Sequence, residues 1–222
     1  MLRTVSFVSC GMTCDLYKWV GQRHRRSEDR LLVVCGPAGT MIAALDGMGG
    51  LPHAYEAAQR ASAGLHAAWR VGTRTPSALL VEANHALVAE FGPDCVGVTA
   101  AVCVVDPAAS ACGGWIGDVR IAVASGPTVD AAETTRDHTR LAERIGGRNP
   151  GPAAVAEWPE LAMRITHSLG ESRPDPAAAA SIPIGSRGRI LLYGLGGSQG
   201  DERARIRSPK LRRRWAVVHR SG

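Results

Sequence analysis

The sequence lacks most features that would assign a small protein to a class at sight. None of its six cysteines (10, 14, 35, 95, 103 and 112) stands in C-x-x-C spacing. Cys10 and Cys14 are four apart with no second half-site, which argues against a zinc or dithiol centre. Cys35 and Cys103 lie in apolar β-like runs and read as small buried hydrophobes. Residues 31–45, the longest uncharged stretch near the start, contain Gly36, Pro37 and Gly39 and fall short of the ~20 residues of a membrane span. The first twenty residues carry Arg3 and a brief apolar patch, interrupted by Cys10, Asp15 and Lys18, without a small-residue cleavage site. A cytoplasmic protein is expected. No repeat of fixed period is visible.

Lysine is nearly absent too. Of 26 cations only Lys18 and Lys210 are lysines. The net charge of +6 is unevenly placed: residues 1–186 hold 16 basic and 18 acidic side chains, residues 187–222 hold 10 and 2. The basicity therefore belongs to the end of the chain. What is present is the composition of one soluble globular domain, with 222 residues and 45% apolar content. Such a chain buries about 70% of its unfolded surface and needs no disulfide or metal to form a core. One domain is expected over residues 1–222, with a divergent Arg-rich segment from 196 to 222.

The apolar pattern predicts strands over 31–35 and 41–45, joined by the turn Gly36-Pro37-Ala38-Gly39 as a hairpin. From His53 to Trp69 the positions Tyr55, Ala58, Ser62, Leu65 and Trp69 follow one helix face. A second helix is predicted from Pro76, suited to a first turn, to about Glu90, where Gly92-Pro93 stops it; Leu79, Leu80, Ala83, Leu87 and Val88 face inward. Val96–Val105, Ala111–Ile116 and Val119–Ala124 suggest a three-stranded meander. Short helices are predicted over 137–145 and 157–168, and last strands over 190–193 and 215–219. Clustered strands with paired helices indicate α+β layers.

Four short motifs sit at predicted strand or helix ends: Ser27-Glu28-Asp29, Asp46-Gly47-Met48-Gly49-Gly50, Gly117-Asp118-Val119-Arg120 and Thr135-Arg136-Asp137-His138. Each alone has an ordinary explanation, as a turn, a solvated acidic pair, a hairpin corner or a carboxylate near a helix start. Carboxylates gathered at strand ends repel one another unless a divalent cation neutralises them, and oxygen-only ligands favour Mg²⁺ or Mn²⁺ over zinc.

In order and spacing the four motifs resemble those of the metal-dependent serine/threonine protein phosphatases, the PPM or type 2C family, of bacterial type. That family carries Asn-Glu-Asp, Asp-Gly-Met/His-Gly-Gly, Gly-Asp-Ser-Arg and Thr-x-Asp-His segments in this sequence. Glu56-Ala57-Ala58, Ala83-Asn84, Gly97-Val98-Thr99-Ala100 and Ser168-Leu169-Gly170 match further, and the resemblance spans roughly residues 20–193. It implies a β-sandwich of two antiparallel sheets flanked by helix pairs, in four αββα layers. It implies two Mn²⁺ or Mg²⁺ ions and hydrolysis of phosphoserine and phosphothreonine by metal-activated water. Asp46 and Asp29 would be the catalytic residues. Asp46 would bridge the metals, the Gly47 carbonyl would ligate one, Asp29 would act in the first shell or through water, and Asp118 would serve an accessory metal. Glu28 and Asp137 would be accessory residues. The partners implied are a phosphoprotein substrate and a Ser/Thr kinase counterpart, with no membrane.

The sequence departs from the family in three places. The phosphate-contacting arginine position holds His24, so neighbouring Arg23 or Arg25 would take that role. Met48 removes the histidine some members have, and His53 is a weak substitute. Near the end, Leu195 stands where the family has a metal-binding Asp, and Arg213-Arg214 where it has another. A second reading follows, a pseudophosphatase that binds phosphoproteins or regulates. The basic tail, with Trp215 as its one aromatic neighbour and no recognised motif, argues against a nucleic-acid role.

Overall fold

A computed structural model describes residues 2–9, 12–19, 28–49, 53–124, 133–172, 177–182, 189–194 and 215–220. The strands are β1 (Leu2–Ser9), β2 (Met12–Trp19), β3 (Asp29–Gly36), β4 (Gly39–Gly47), β5 (Val98–Val105), β6 (Ala111–Ile116), β7 (Val119–Ala124), β8 (Glu133–Thr134), β9 (Ala177–Ile182), β10 (Arg189–Gly194) and β11 (Trp215–Arg220). The helices are α1 (Ala54–Arg70), α2 (Pro76–Phe91), α3 (Arg140–Arg144), α4 (Pro152–Glu157) and α5 (Pro159–Ala162). One sheet runs β1-β2-β11-β10-β7-β8 and the other β3-β4-β5-β6-β9, all pairs antiparallel. The expected α+β sandwich is thus the fold observed. No helix among the described residues is long and apolar enough to cross a membrane.

Two apolar clusters explain why β4 and β5 read as unbroken hydrophobic runs. Met41, Ala43 and Leu45 of β4 pack with Ala100, Val102 and Val104 of β5 against α1 and α2. The alternate residues Ile42, Ala44, Ala101, Cys103 and Val105 meet Val119, Ile121, Ile190 and Leu192 of the other sheet. Both faces are covered, so the usual apolar–polar alternation is lost. The parity has a consequence at the strand ends: Asp46 continues the Ile42–Ala44 face and Thr99 the Ala101–Cys103 face, so both belong to the space between the sheets.

The 31–45 hairpin and both long helices form where the pattern places them, but the helix interface differs in kind. Ala54, Ala57, Ala58, Ala61, Gly64, Leu65, Ala68 and Trp69 are the buried residues of α1, while Tyr55 and Ser62 lie half-exposed at its border. Small side chains let α1 and α2 approach closely, and a Cβ on Gly64 would stand 2.9 Å from that of Ala86. In α2, Val88 is only half-buried.

Several expectations are corrected. The meander ends at β6, because β7 belongs to the opposite sheet and β9 occupies the other edge of β6. The chain changes sheets at Gly117, whose φ of 87° suits glycine and whose Cβ would collide with Thr99. The helix expected over 137–145 opens only at Thr139, whose hydroxyl accepts from the Ala142 N–H at 3.1 Å. The one expected over 157–168 is reduced to α5: Pro159 separates it from α4, and beyond Ala162 Ile165 instead bridges Thr139. Cys35 is exposed near the end of edge strand β3, while Cys103 is buried. Cys10 lies outside the described residues. Strands β1, β2, β8 and β9 were not among those expected from the apolar pattern.

Candidate functional site

Antiparallel pairing sets Asp29, the first residue of β3, directly opposite Asp46 near the end of β4. Asp46 in turn faces Thr99 on β5. Cross-strand partners share a face, so the two carboxylates and the hydroxyl form one row at one end of the intersheet space. Asp29 is fully buried and Asp46 partly so. Gly47 closes the row: its N–H donates to the Glu28 carbonyl at 3.1 Å, and a Cβ there would collide with the Ala54 carbonyl at the start of α1. The Met48 N–H donates to Gly97 O at 2.9 Å. A Cβ on Gly49 would come within 3.3 Å of a Glu28 carboxylate oxygen, which brings that side chain over the glycine loop.

Thr99 links this row to the sheet-changing turn, because its hydroxyl hydrogen-bonds the Asp118 carboxylate. Burial pushes the Asp118 carboxyl above its ordinary range and the charge of Asp137 adds to the rise, while hydrogen bonds from its own backbone N–H and from Thr99, and the charge of Arg120, oppose it. Asp137 is itself tied off. The Arg120 guanidinium grips it with two prongs, Nε to Oδ1 at 2.5 Å and Nη2 to Oδ2 at 2.6 Å, with both side chains buried. Asp137 is thus part of an internal ion pair, which overturns its reading as a helix-start carboxylate.

His138 fixes the same turn from the other side. Its Nδ1 accepts from the Gly117 N–H at 3.1 Å, and its own backbone N–H donates to Gly117 O at 2.9 Å. Acceptance at Nδ1 leaves the ring proton of the neutral imidazole on Nε2. The ring stacks on Trp115 at 6.1 Å and meets His167 edge-on at 5.1 Å. Asn84 has a comparable role behind the row: it accepts from the Gly170 N–H at 2.7 Å and donates to Glu171 O at 3.1 Å. Leu169 in turn exchanges both backbone hydrogen bonds with Val98, the partner of Gly47.

Of the residues singled out from sequence, Glu28, Asp29, Asp46, Gly47, Asp118 and Asp137 all gather at this end. Arg23, His24 and Arg25 lie outside the described residues, as do Leu195 and Arg213-Arg214. Their chain neighbours mark the same end: Gly194 pairs with Val119, next to Asp118, and Trp215 pairs with Tyr193. His53 is exposed, in a left-handed conformation at φ 61°, with its ring stacked 5.9 Å from Phe91. Thr99, His138, Asn149 and the partnership of Arg120 with Asp137 were not read as functional from sequence. The signal for the last was an arginine inside the apolar run Val119–Ala124.

The site's chemistry is that of oxygen donors: two facing carboxylates and the backbone of Asp46-Gly47, a set that fits a hard divalent cation. Among the described residues no three His, Cys, Asp or Glu side chains converge to hold a metal ion between them.

Two sheets changing partners at Gly117, with acidic residues at one end of the sandwich, define the PPM-type phosphatase fold. The chain is similar to the PPM Ser-Thr phosphatase MsPP of Mycobacterium smegmatis, solved with cacodylate, at 20% identity over 95% of this chain and 98% of that one, with a TM-score of 0.68. It is similar to a stage II sporulation E family protein of Thermanaerovibrio acidaminovorans at 24% identity, covering 77% and 81%, with a TM-score of 0.61. RsbX in complex with magnesium matches at 11% identity over 100% of both chains, with a TM-score of 0.63. No family model and no curated protein matches the sequence.

Proposed function

We propose that the chain is a metal-dependent hydrolase of phosphoserine and phosphothreonine in proteins. The observation that supports this most is the direct opposition of Asp29 and Asp46 on the intersheet face, next to a glycine backbone that approaches without side chains. Like charges so placed stabilise a cation and cost stability without one. Asp46, the Gly47 carbonyl and Asp29 would hold the divalent ion, Mn²⁺ or Mg²⁺, with Asp118 at an accessory position. The ion, when bound, supplies Lewis acidity toward the phosphoryl oxygens and lowers the pKa of a water. Thr99 hydrogen-bonds the Asp118 carboxylate, and His138 fixes the Gly117 turn that carries it. Arg23 or Arg25 would present the guanidinium fork to the phosphoryl group. The substrate is then a phosphoprotein, made by a Ser/Thr kinase.

Purified protein should hydrolyse an aryl phosphate with Mn²⁺, lose activity in chelator, and lose it on Asp46→Asn. A second reading is supported by the sequence: Leu195 and Arg213-Arg214 stand where the resemblance puts metal-binding aspartates, and they bring no anionic side chain. A folded protein that is silent with Mn²⁺ yet binds phosphopeptides would be such a phosphoprotein-binding module, and the hydrolase reading would fall.

A further inference from the structure

Beside the acidic row lies a basic surface. Arg136, Arg144 and Arg148 are exposed, and Arg136 lies against the segment that joins the other two. A Cβ on Gly147 would stand 3.7 Å from Nη1 of Arg136, so that guanidinium lies against the segment after α3. Arg148 Nε donates to Ile145 O at 3.3 Å, and the Arg144 guanidinium lies 4.9 Å from the centre of the Trp158 ring. Asn149 fastens the arrangement: its Oδ1 accepts from the Asp137 N–H at 2.9 Å and its Nδ2 donates to Thr135 O at 2.8 Å. It thereby grips both chain neighbours of Arg136 and keeps Arg148 alongside.

Charge on this surface is not balanced as it is elsewhere. Among the described residues no ion pair joins Arg136, Arg144 or Arg148 to a carboxylate, whereas Arg60 pairs with Glu90 and Arg140 with Glu143. Residues 53–97 carry Arg60, Arg70 and Arg74 against Glu56, Glu82, Glu90 and Asp94. Residues 135–164 carry five arginines against Glu143, Glu157, Glu160 and an Asp137 already closed by Arg120.

We infer that Arg136, Arg144 and Arg148 form a docking surface for a carboxylate-rich polypeptide segment flanking the phosphorylated residue. Arg136 immediately precedes Asp137, whose charge acts on Asp118, so this surface adjoins the acidic end of the sandwich. Three guanidiniums favour Asp and Glu side chains through charge-assisted, two-pronged hydrogen bonds, and their field attracts an acidic segment from a distance. The docking step itself involves no chemistry; it deepens the proposed function and rests on that reading only for the phosphoryl group.

The test uses the full chain and one labelled phosphothreonine peptide in three forms, with four flanking Glu, Gln or Lys residues, read by fluorescence anisotropy in chelator so that no turnover is needed. The Glu form should bind about tenfold more tightly than the Gln form at low salt, and raising ionic strength should shrink the gap. The doubly reversed variant Arg136→Glu with Arg148→Glu should reverse the preference toward the Lys form, while Arg70→Glu, on the far end of α1, should leave it in place. Circular dichroism establishes that the variants fold. Equal binding of the Glu and Gln forms, or an unchanged preference in the folded reversed variant, would overturn the inference. So would anionic vesicles or single-stranded DNA binding in an Arg136- and Arg148-dependent way while the Glu peptide does not. Loss of aryl phosphate hydrolysis with the preference intact would remove the hydrolase reading and leave this surface standing.

Discussion

Two pairs of charged side chains stand at the same end of the sandwich and have opposite physical characters. Asp29 and Asp46 face one another across β3 and β4, like charge against like. Asp137 is held by both prongs of Arg120 in a buried ion pair. The first is the pair that the proposed function assigns to a cation; the second is internally neutral and fixes a turn. Family resemblance alone gives Asp29, Asp46 and Asp137 the same status of site residues, and the geometry sets Asp137 apart as half of a buried ion pair.

Substitutions should separate the two, with opposite signs on stability. Arg120→Ala leaves Asp137 buried without its counter-charge and should lower stability by about 3–5 kcal/mol, roughly 10 °C in Tm. Replacing both partners, Arg120→Met with Asp137→Leu, should recover most of that loss, since the packing survives without the uncompensated charge. Asp46→Asn should cut Mn²⁺-dependent aryl phosphate hydrolysis by more than about 100-fold, because even outer partners of metal ligands cost 10–100-fold. In metal-free protein the same change should raise Tm, by the equivalent of about 0.2–1 kcal/mol, as one of two opposed charges disappears.

Smaller effects test the supports. His138→Asn keeps an acceptor where Nδ1 stands and should retain Mn²⁺-dependent activity, whereas His138→Gln places its amide nearer Nε2 and should cost about 1 kcal/mol in thermal unfolding along with activity. Asp118 gives the smallest effect. Its folded-state pKa is raised, so the native state binds more protons than the unfolded one above the ordinary value of 3.8, and stability falls as pH climbs from there through the raised pKa. Asp118→Asn should remove that decline: the metal-free variant is more stable than the parent at pH 7, and the difference closes as pH falls toward 3.8 in pH-dependent unfolding.

The legible parts of the molecule were those where pattern and chemistry coincide. Leu31–Cys35, Met41–Leu45 and the Pro76 helix declare themselves through local periodicity and turn residues. Asp29 and Asp46 were legible because motif order carries information that no single dipeptide does. β9, with the sequence AAAASI, offers almost no apolar volume to mark it. The crossing of β7 to the other sheet depends on Gly117 meeting Thr99, residues eighteen apart in the chain. The Arg120–Asp137 pair is likewise a long-range contact, and Asp137 read locally is only a carboxylate before a helix.

Thermal unfolding of the parent and of Asp46→Asn, each with and without Mn²⁺, tests the distinction between the two pairs most directly. The metal-free variant should melt above the metal-free parent, and Mn²⁺ should raise the parent's Tm while leaving the variant's where it was. A metal-free variant that melts below the parent, or an equal Mn²⁺ shift in both proteins, would contradict the assignment of Asp29 and Asp46 as a cation-binding pair.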